Sequence, residues 1–162
     1  MGVSSFPAGG GGAKEKRVDL FTATGAWTAP AGVSYAIAYV LGGGGGGGGK
    51  SNSSGSLGGS SIFGSITSRG GQGGTASQSY ESGSVGKNAQ ANTGAGGEPK
   101  GTASTSTSND ALGGGYSRII QAGQAVVSGT SYTVTVGAGG SSGTDAGSGG
   151  SGYLAIEYYV EA

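Results

Sequence analysis

The sequence predicts an all-β fold, a small antiparallel β-sandwich combined with packed polyglycine segments and long loops. Several short segments alternate large apolar residues with small or polar ones, which is the pattern of β-strands. Glycine supplies 42 of the 162 residues, and eight of these glycines are consecutive at residues 42–49. No segment keeps the 3.6-residue period of an amphipathic helix for more than about two turns.

The first two predicted strands flank the single tryptophan, Trp27. The first strand is expected to begin at residues 18–22. The core strand is expected at residues 35–41, after a turn at residues 30–32 in which proline and glycine favour chain reversal. Its larger side chains share one side, and we expect both of its faces to be buried. A thin core must use its largest side chain, so we also expect Trp27 to be buried between these two strands.

Later segments complete the predicted sandwich. Residues 60–67 indicate one short strand, and residues 119–127 read as a hairpin that turns at residues 121–124. Residues 132–136 give the clearest half-buried strand pattern, and residues 153–160 form the last strand. We interpret five aromatic residues at strand positions as core residues: Phe21, Trp27, Tyr39, Tyr132 and Tyr158.

The glycine-rich segments predict close side-by-side packing rather than a flexible linker. Polyproline-II-type helices make no internal hydrogen bonds, so their backbone groups can bond to neighbouring segments, and glycine permits the close approach. Glycines also recur at every third residue between Gly137 and Gly152, with Ala146 in the one gap. Collagen is excluded because there is no sustained Gly-X-Y repeat and the chain has only three prolines.

We expect two parts in the chain. Residues 1–17 are predicted to be an N-terminal tail or docking segment, and Phe6 would be its anchor. A disordered tail is the alternative for these residues. Residues 18–162 are predicted to form the glycine-rich β domain. Within it, residues 75–111 are a long polar loop region, and loops of this length are usually functional or disordered.

Composition argues against several classes of function. Eight basic residues balance eight acidic ones, whereas nucleic-acid binding needs a basic face. No apolar run approaches the ~18 residues of a membrane span, and we see no signal peptide at the N-terminus. The chain has no histidine and no cysteine, which removes the usual general base and the commonest metal ligands. We therefore expect no catalytic residue, no metal, no cofactor and no enzymatic activity.

One motif mimics a nucleotide site. Residues 44–51 satisfy the phosphate-binding pattern Gly-x-x-x-x-Gly-Lys-Ser. That mechanism needs a following helix whose N-terminal amides hold the phosphates. Residues 52–56 are Asn-Ser-Ser-Gly-Ser, which cannot hold a helix. We interpret the match as a consequence of polyglycine.

The stretch from Phe21 to Gly49 resembles the opening of the glycine-rich domain of bacteriophage tail fibres and tail adhesins. That domain has an aromatic-Thr strand, a Trp-Thr-x-Pro-x-Gly turn, a Val-rich strand and a polyglycine tract. The segments at residues 60–65, 130–140 and 149–158 are similar to its later blocks, in the same order. The resemblance covers residues 18–160, and it implies a tail-fibre or tail-tip protein of the virion, made in the bacterial host cytoplasm. Such a protein would attach to a surface receptor, either a glycan or an outer-membrane protein.

The resemblance also implies that variable loops contact the receptor. The candidate receptor-binding residues lie in or beside the polar loop: Tyr80, Asn88, Asn92, Asn109 and Tyr116. An exposed ring of Tyr80 or Tyr116 could stack on a sugar. Two alternatives remain, a purely structural capsid or baseplate decoration without receptor binding, and an ice-binding protein built of polyglycine helices. The irregular residues 75–111 argue against the flat face that ice binding needs.

Other subunits are expected around this chain. Ordering 42 glycines costs ~1–2 kcal/mol each, and few large apolar residues are present to offset this cost. Burial between subunits is the direct remedy, and closed symmetry is the usual way to obtain it. Because tail fibres of the family that this chain resembles are commonly trimeric, we expect a homotrimer, or failing that a monomer bound to another tail protein.

Overall fold

A computed structural model describes residues 12–49, 52–75, 89–90, 93–97 and 114–161. These residues form no helix, and so none that is long and apolar enough to cross a membrane. They form eight strands: β1 (Lys14–Phe21), β2 (Gly25–Thr28), β3 (Tyr35–Leu41), β4 (Ser61–Phe63), β5 (Ile66–Ser68), β6 (Ile119–Ala125), β7 (Ser131–Thr135) and β8 (Tyr153–Glu161). The expected all-β class is confirmed.

The strands make two antiparallel four-stranded sheets. The first sheet has the order β1-β8-β3-β6, and the second has the order β2-β7-β4-β5. The two sheets share one core, to which the first contributes mainly aliphatic side chains and the second contributes Trp27 and Phe63. Trp27 is buried, as expected, and its ring lies 5.7 Å from that of Phe63 and 5.5 Å from that of Tyr158.

The core strand β3 is only partly as predicted. Its small residues Ala36 and Ala38 face the core and are buried, because the second sheet supplies the aromatic rings there. Its larger residues lie on the opposite, outer face of the first sheet. Tyr39 on this face is half-buried and lies outside the core, so its expected core position is wrong. Tyr35 is exposed, so the expectation that both faces are buried is also wrong.

Two strand boundaries differ from the sequence prediction. β1 begins at Lys14 rather than at residue 18, because residues 14–17 continue the pairing with β8 and Lys16 forms an ion pair with Glu157. The single strand expected at residues 60–67 is a hairpin of β4 and β5. Gly64 has a φ of 56° at its turn, a conformation that glycine adopts without strain.

The hairpin predicted at residues 119–127 does not form. The strand β6 runs unbroken from Ile119 to Ala125 and pairs with β3 along its whole length. Gly123 lies inside the strand because the ring of Tyr35 covers it, and any added Cβ would overlap the Tyr35 hydroxyl. The glycine therefore marks a close packing contact rather than a turn.

The eight-glycine run at residues 42–49 is the centre of what we call the glycine bundle. Every third amide of this run donates to the same neighbouring segment. The amides of Gly43, Gly46 and Gly49 donate to carbonyls of segment 53–59 at 2.7–2.9 Å. A three-residue repeat is the period of a polyproline-II helix. The hydrogen bonds of this segment therefore run to other segments of the chain rather than within it.

Six described segments surround the central one. Three run antiparallel to it and accept hydrogen bonds from its amides: 53–59, 114–117 and 147–152. Three run parallel to it and donate to its carbonyls: 70–75, 94–97 and 137–143. The six also bond to one another in a closed ring. The three-residue glycine series between Gly137 and Gly152 thus belongs to two neighbouring segments, joined by a turn at residues 144–145.

Two buried serines join the sandwich to the bundle. The Ser61 hydroxyl donates to the Leu41 carbonyl at 2.7 Å and accepts from the Gly137 amide at 2.9 Å. The Ser68 hydroxyl accepts from the Gly42 amide at 3.0 Å. Both serines are at most 1% exposed. Because unpaired buried amides are costly, these bonds stabilise the point where β3 becomes the central glycine segment.

Candidate functional site

The structure describes one of the six residues that the sequence analysis selected. Phe6, Tyr80, Asn88, Asn92 and Asn109 lie outside the described residues. Tyr116 belongs to bundle segment 114–117 and has 79% of its surface exposed. Its exposed ring agrees with the expectation for a ligand-contacting aromatic, and its surroundings define the candidate site.

Tyr116 lies on a cleft of about 370 Å³ at the junction of the sandwich and the glycine bundle. We call it the arginine cleft, because Arg69 and Arg118 line it together with Tyr116, Ile120, Thr67 and Gly70. Arg69 directly follows β5 and Arg118 directly precedes β6. The site therefore combines two cations, one aromatic ring and one partly exposed aliphatic side chain.

Two Ser-Arg dipeptides bond reciprocally beneath this cleft. The Ser68 hydroxyl donates to the Arg118 carbonyl at 2.5 Å, and the Ser117 hydroxyl donates to the Arg69 carbonyl at 2.8 Å. The two serine oxygens lie 3.1 Å apart. Because Ser68 is buried and also bonds to the first glycine of the bundle, the backbones of both arginines are fixed to the interior.

The two cleft arginines differ from Lys16 and Arg17 of β1. Neither Arg69 nor Arg118 forms an ion pair with another residue in the part of the chain that the structure describes. Lys16 instead lies 2.9 Å from Glu157, and this hydrogen bond and charge raise the pKa of Lys16. Arg17 lies 2.8 Å from Glu15, which raises the pKa of Arg17 in the same way. Among the described residues, no acidic side chain neutralises the positive charge of the cleft.

In the described part of the Gly-x-x-x-x-Gly-Lys-Ser pattern, glycine amides are already paired within the bundle. The amides of Gly44, Gly45 and Gly47 donate to protein carbonyls at 2.8–3.0 Å. A phosphate cradle needs such amides to point at the ligand. Lys50 and Ser51 lie outside the described residues. Among the described residues, no group of three or more acidic, histidine or cysteine side chains is placed to hold a metal ion.

The bundle has two different ends. Its Gly42 end carries all the described connections to the sandwich, from Leu41, Ser60, Arg69, Ser117, Val136 and Gly152. Its other end carries Gly49 and the turn at residues 144–145, where the Thr144 amide donates to the Ser53 hydroxyl at 2.9 Å. Thr75 and Ala89, which adjoin segment 76–88, lie toward this end, whereas Gly97 and Gly114, which adjoin segment 98–113, lie midway along the bundle at the level of Gly45.

Sequence reasoning selected Tyr116 as a candidate and did not select Arg69 or Arg118. They are far apart in sequence, and only the packing of the bundle on the sandwich brings them to one cleft. The repeated Ser-Arg dipeptide, at residues 68–69 and 117–118, was the available signal. No family model matches the chain, and a search of curated proteins finds no match either.

Proposed function

We propose that this protein is a bacteriophage tail-fibre or tail-tip component that presents its glycine-rich domain to the host bacterial surface. The observation that carries the proposal is the division between the two ends of the glycine bundle. The sandwich adjoins the Gly42 end. Segment 76–88 is joined to Thr75 and Ala89 at the level of Gly46 and Gly47, and segment 98–113 is joined to Gly97 and Gly114 at the level of Gly45, midway along the bundle. The two segments that we expect to contact a receptor are thus attached away from the sandwich.

The bundle supplies a rigid base for these attachment points. Gly97 donates to the Gly45 carbonyl at 2.9 Å and accepts from Gly114 at 3.0 Å. The two residues that flank segment 98–113 therefore bond to each other. Binding residues are often carried on loops that a rigid scaffold positions. This arrangement supports a presenting function.

The composition of the attached segments suits a polar receptor. Residues 76–88 and 98–113 are rich in serine, threonine and asparagine and include Tyr80. These side chains offer hydrogen-bond donors and acceptors together with a ring that can stack on a sugar. A surface glycan or an outer-membrane protein is the proposed receptor, and the virion tail is the proposed location of a chain made in the host cytoplasm.

The outer face of the first sheet supports the proposed homotrimer. Val18 and Leu20 on β1 are 53% and 64% exposed, and Tyr35 and Tyr159 on the same face are 58% and 49% exposed. A face with this much exposed apolar surface is typical of an interaction site. We assign it to contacts between copies of this chain, because subunit burial also offsets the cost of ordering the glycines. Binding to another tail protein is the alternative occupant.

The test exchanges each attached segment for a Gly-Ser segment of equal length. Residues 76–88 and 98–113 are replaced separately, and residues 89–97 are kept because Ala95 and Gly97 bond inside the bundle. Adsorption of the resulting particles to susceptible bacteria is measured. The control, Ala31→Ser, changes an exposed turn that precedes β3, at the end of that strand remote from the bundle.

We expect at least one exchange to abolish adsorption while the Trp27 emission and the melting temperature stay at the control values. If both exchanged proteins fold and support normal adsorption, receptor binding through these segments is wrong. A loss of particle stability without a loss of adsorption would identify a structural decoration instead.

A further inference from the structure

We propose that the arginine cleft binds a negatively charged saccharide, one that carries a carboxylate or phosphate group on its sugar ring. Arg69 and Arg118 lie at the sandwich end of the bundle, where β5 ends and β6 begins. The proposed function contributes only the source of the ligand, a bacterial surface. Binding of the saccharide to the purified protein does not depend on that source.

The charge of the cleft selects an anion. Arg69 and Arg118 both line it, and neither is neutralised by an ion pair with another described residue. A guanidinium group presents its donors in a planar fork that matches the oxygens of a carboxylate or phosphate. Two guanidinium groups beside one cleft therefore favour a ligand that carries at least one carboxylate or phosphate group.

The other lining residues select a sugar rather than a free ion. Tyr116 is 79% exposed, and Ile120 is 38% exposed. An aromatic ring next to an aliphatic side chain offers apolar surface to the face of a pyranose ring. The volume of about 370 Å³ falls at the lower end of the roughly 300–1,000 Å³ of ligand clefts.

The backbone beneath the cleft is already held in place by hydrogen bonds within the protein. The reciprocal bonds of Ser68 and Ser117 fix the carbonyls of Arg118 and Arg69. Only the arginine side chains must be ordered on binding, since their backbones are already held. Rigid placement of binding residues lowers the entropic cost of association.

The experiment measures saccharide binding by titration calorimetry on the full chain. The probes are tetragalacturonate, which carries carboxylates, a mannose oligomer that carries 6-phosphate, and neutral maltotetraose. We expect one or both anionic probes to bind and maltotetraose to bind at least tenfold more weakly, since hydrogen bonds to charged groups are the stronger ones. Whichever anionic probe binds identifies the carboxylate or the phosphate as the recognised group.

Two pairs of matched variants locate the binding. Arg69→Gln and Arg118→Gln are each expected to weaken binding roughly tenfold or more. The control Arg17→Gln removes the same charge from exposed β1 and should leave the affinity unchanged. Tyr116→Ala should also weaken binding, whereas Val127→Ala, which changes an exposed apolar residue in the loop after β6, should not.

Three results would overturn the inference: no binding of either anionic probe, equal binding of maltotetraose, or equal losses in Arg17→Gln and Arg69→Gln. The cleft variants change exposed side chains, and unchanged melting temperatures would show that they remain folded. A failure here leaves the proposed function intact if the segment exchanges still abolish adsorption. If the saccharide binds but both exchanged proteins adsorb normally, this inference stands and the proposed receptor-binding function is wrong.

Discussion

The indole nitrogen of Trp27 donates a 2.8 Å hydrogen bond to Oδ2 of Asp19. Trp27 belongs to β2 of the second sheet and Asp19 to β1 of the first, so the bond connects the two sheets. Trp27 is only 3% exposed, and its ring contacts those of Phe63, Tyr132 and Tyr158. The largest side chain of the thin core therefore has both its apolar surface and its polar atom satisfied.

Trp27→Ala should lower the free energy of unfolding by ~3–5 kcal/mol, because it leaves a cavity among three aromatic rings. Trp27→Phe keeps a ring, loses the bond to Asp19 and should cost less. Urea denaturation followed by circular dichroism measures both variants. A native fluorescence maximum at the long wavelength of an exposed indole would contradict the buried position.

Tyr158 gives the fold a pH dependence above neutrality. Burial raises the pKa of Tyr158 above its ordinary value of 10.0, and the hydrogen bond and charge of Asp19 raise it further, against an opposing effect of Arg17. In the unfolded chain the hydroxyl ionises near its ordinary pKa, so its contribution to stability is complete below pH ~10 and is lost as the pH rises through the folded value.

Melting temperatures measured from pH 8 to pH 11 test this. We expect the melting temperature of Tyr158→Phe to fall less steeply above pH ~10 than that of the unchanged protein. Equal slopes for the two proteins would show that Tyr158 does not cause the dependence.

Strand patterns were predicted well where alternation and burial coincide. Leu154, Ile156 and Tyr158 are buried on one face of β8, as their spacing predicted, and Val160 is half-buried. The prediction failed at Gly123, because a glycine inside a strand gives the same local signal as a turn. A glycine is needed at position 123 because the ring of Tyr35 covers it, and Tyr35 is too far away in sequence to contribute to the local pattern.

Gly44→Ala should destabilise the protein by at least ~1–3 kcal/mol, the usual cost of overpacking. An added Cβ would overlap the Ala95 carbonyl, and backbone rather than a flexible side chain would have to move. Gly25→Ala is the matched control, since a Cβ there meets nothing within 4 Å. That change should be neutral or stabilise by ~0.4–1 kcal/mol through the unfolded state.

Urea denaturation followed by Trp27 fluorescence compares the two variants. Opposite signs of the stability change would agree with a closely packed central segment. Equal small effects would mean that residues 42–49 tolerate side chains and are not enclosed by the six neighbours.

The candidate site was only partly accessible from sequence. The sequence placed Tyr116 beside a polar loop, where an exposed ring could stack on a sugar. The arginine cleft depends on the bundle bringing β5 next to β6, and on the Ser68 and Ser117 hydroxyls reaching each other's arginine. Glycine-rich segments carry little information about which neighbour each one chooses, because they have no side chains to distinguish the alternatives.

Sedimentation velocity tests the proposed homotrimer. Val18 and Leu20 lie on the outer face of the first sheet, so replacing both by serine should dissociate a trimer that uses this face. Val127→Ser is the control, because Val127 is 65% exposed but lies in the loop after β6. A stable isolated monomer with a cooperative melt, in the unchanged protein, would refute the trimer.

Attachment to the host is tested most directly by competition. Purified protein is added to susceptible bacteria before the phage particles that are proposed to carry this chain, and the unadsorbed particles are counted. We expect the folded, unchanged protein to reduce adsorption in a dose-dependent way. We expect no such reduction from the Gly-Ser exchanged protein whose own particles do not adsorb. Normal adsorption at saturating folded protein, or particles whose tails do not contain the chain by immunogold labelling, would contradict the account.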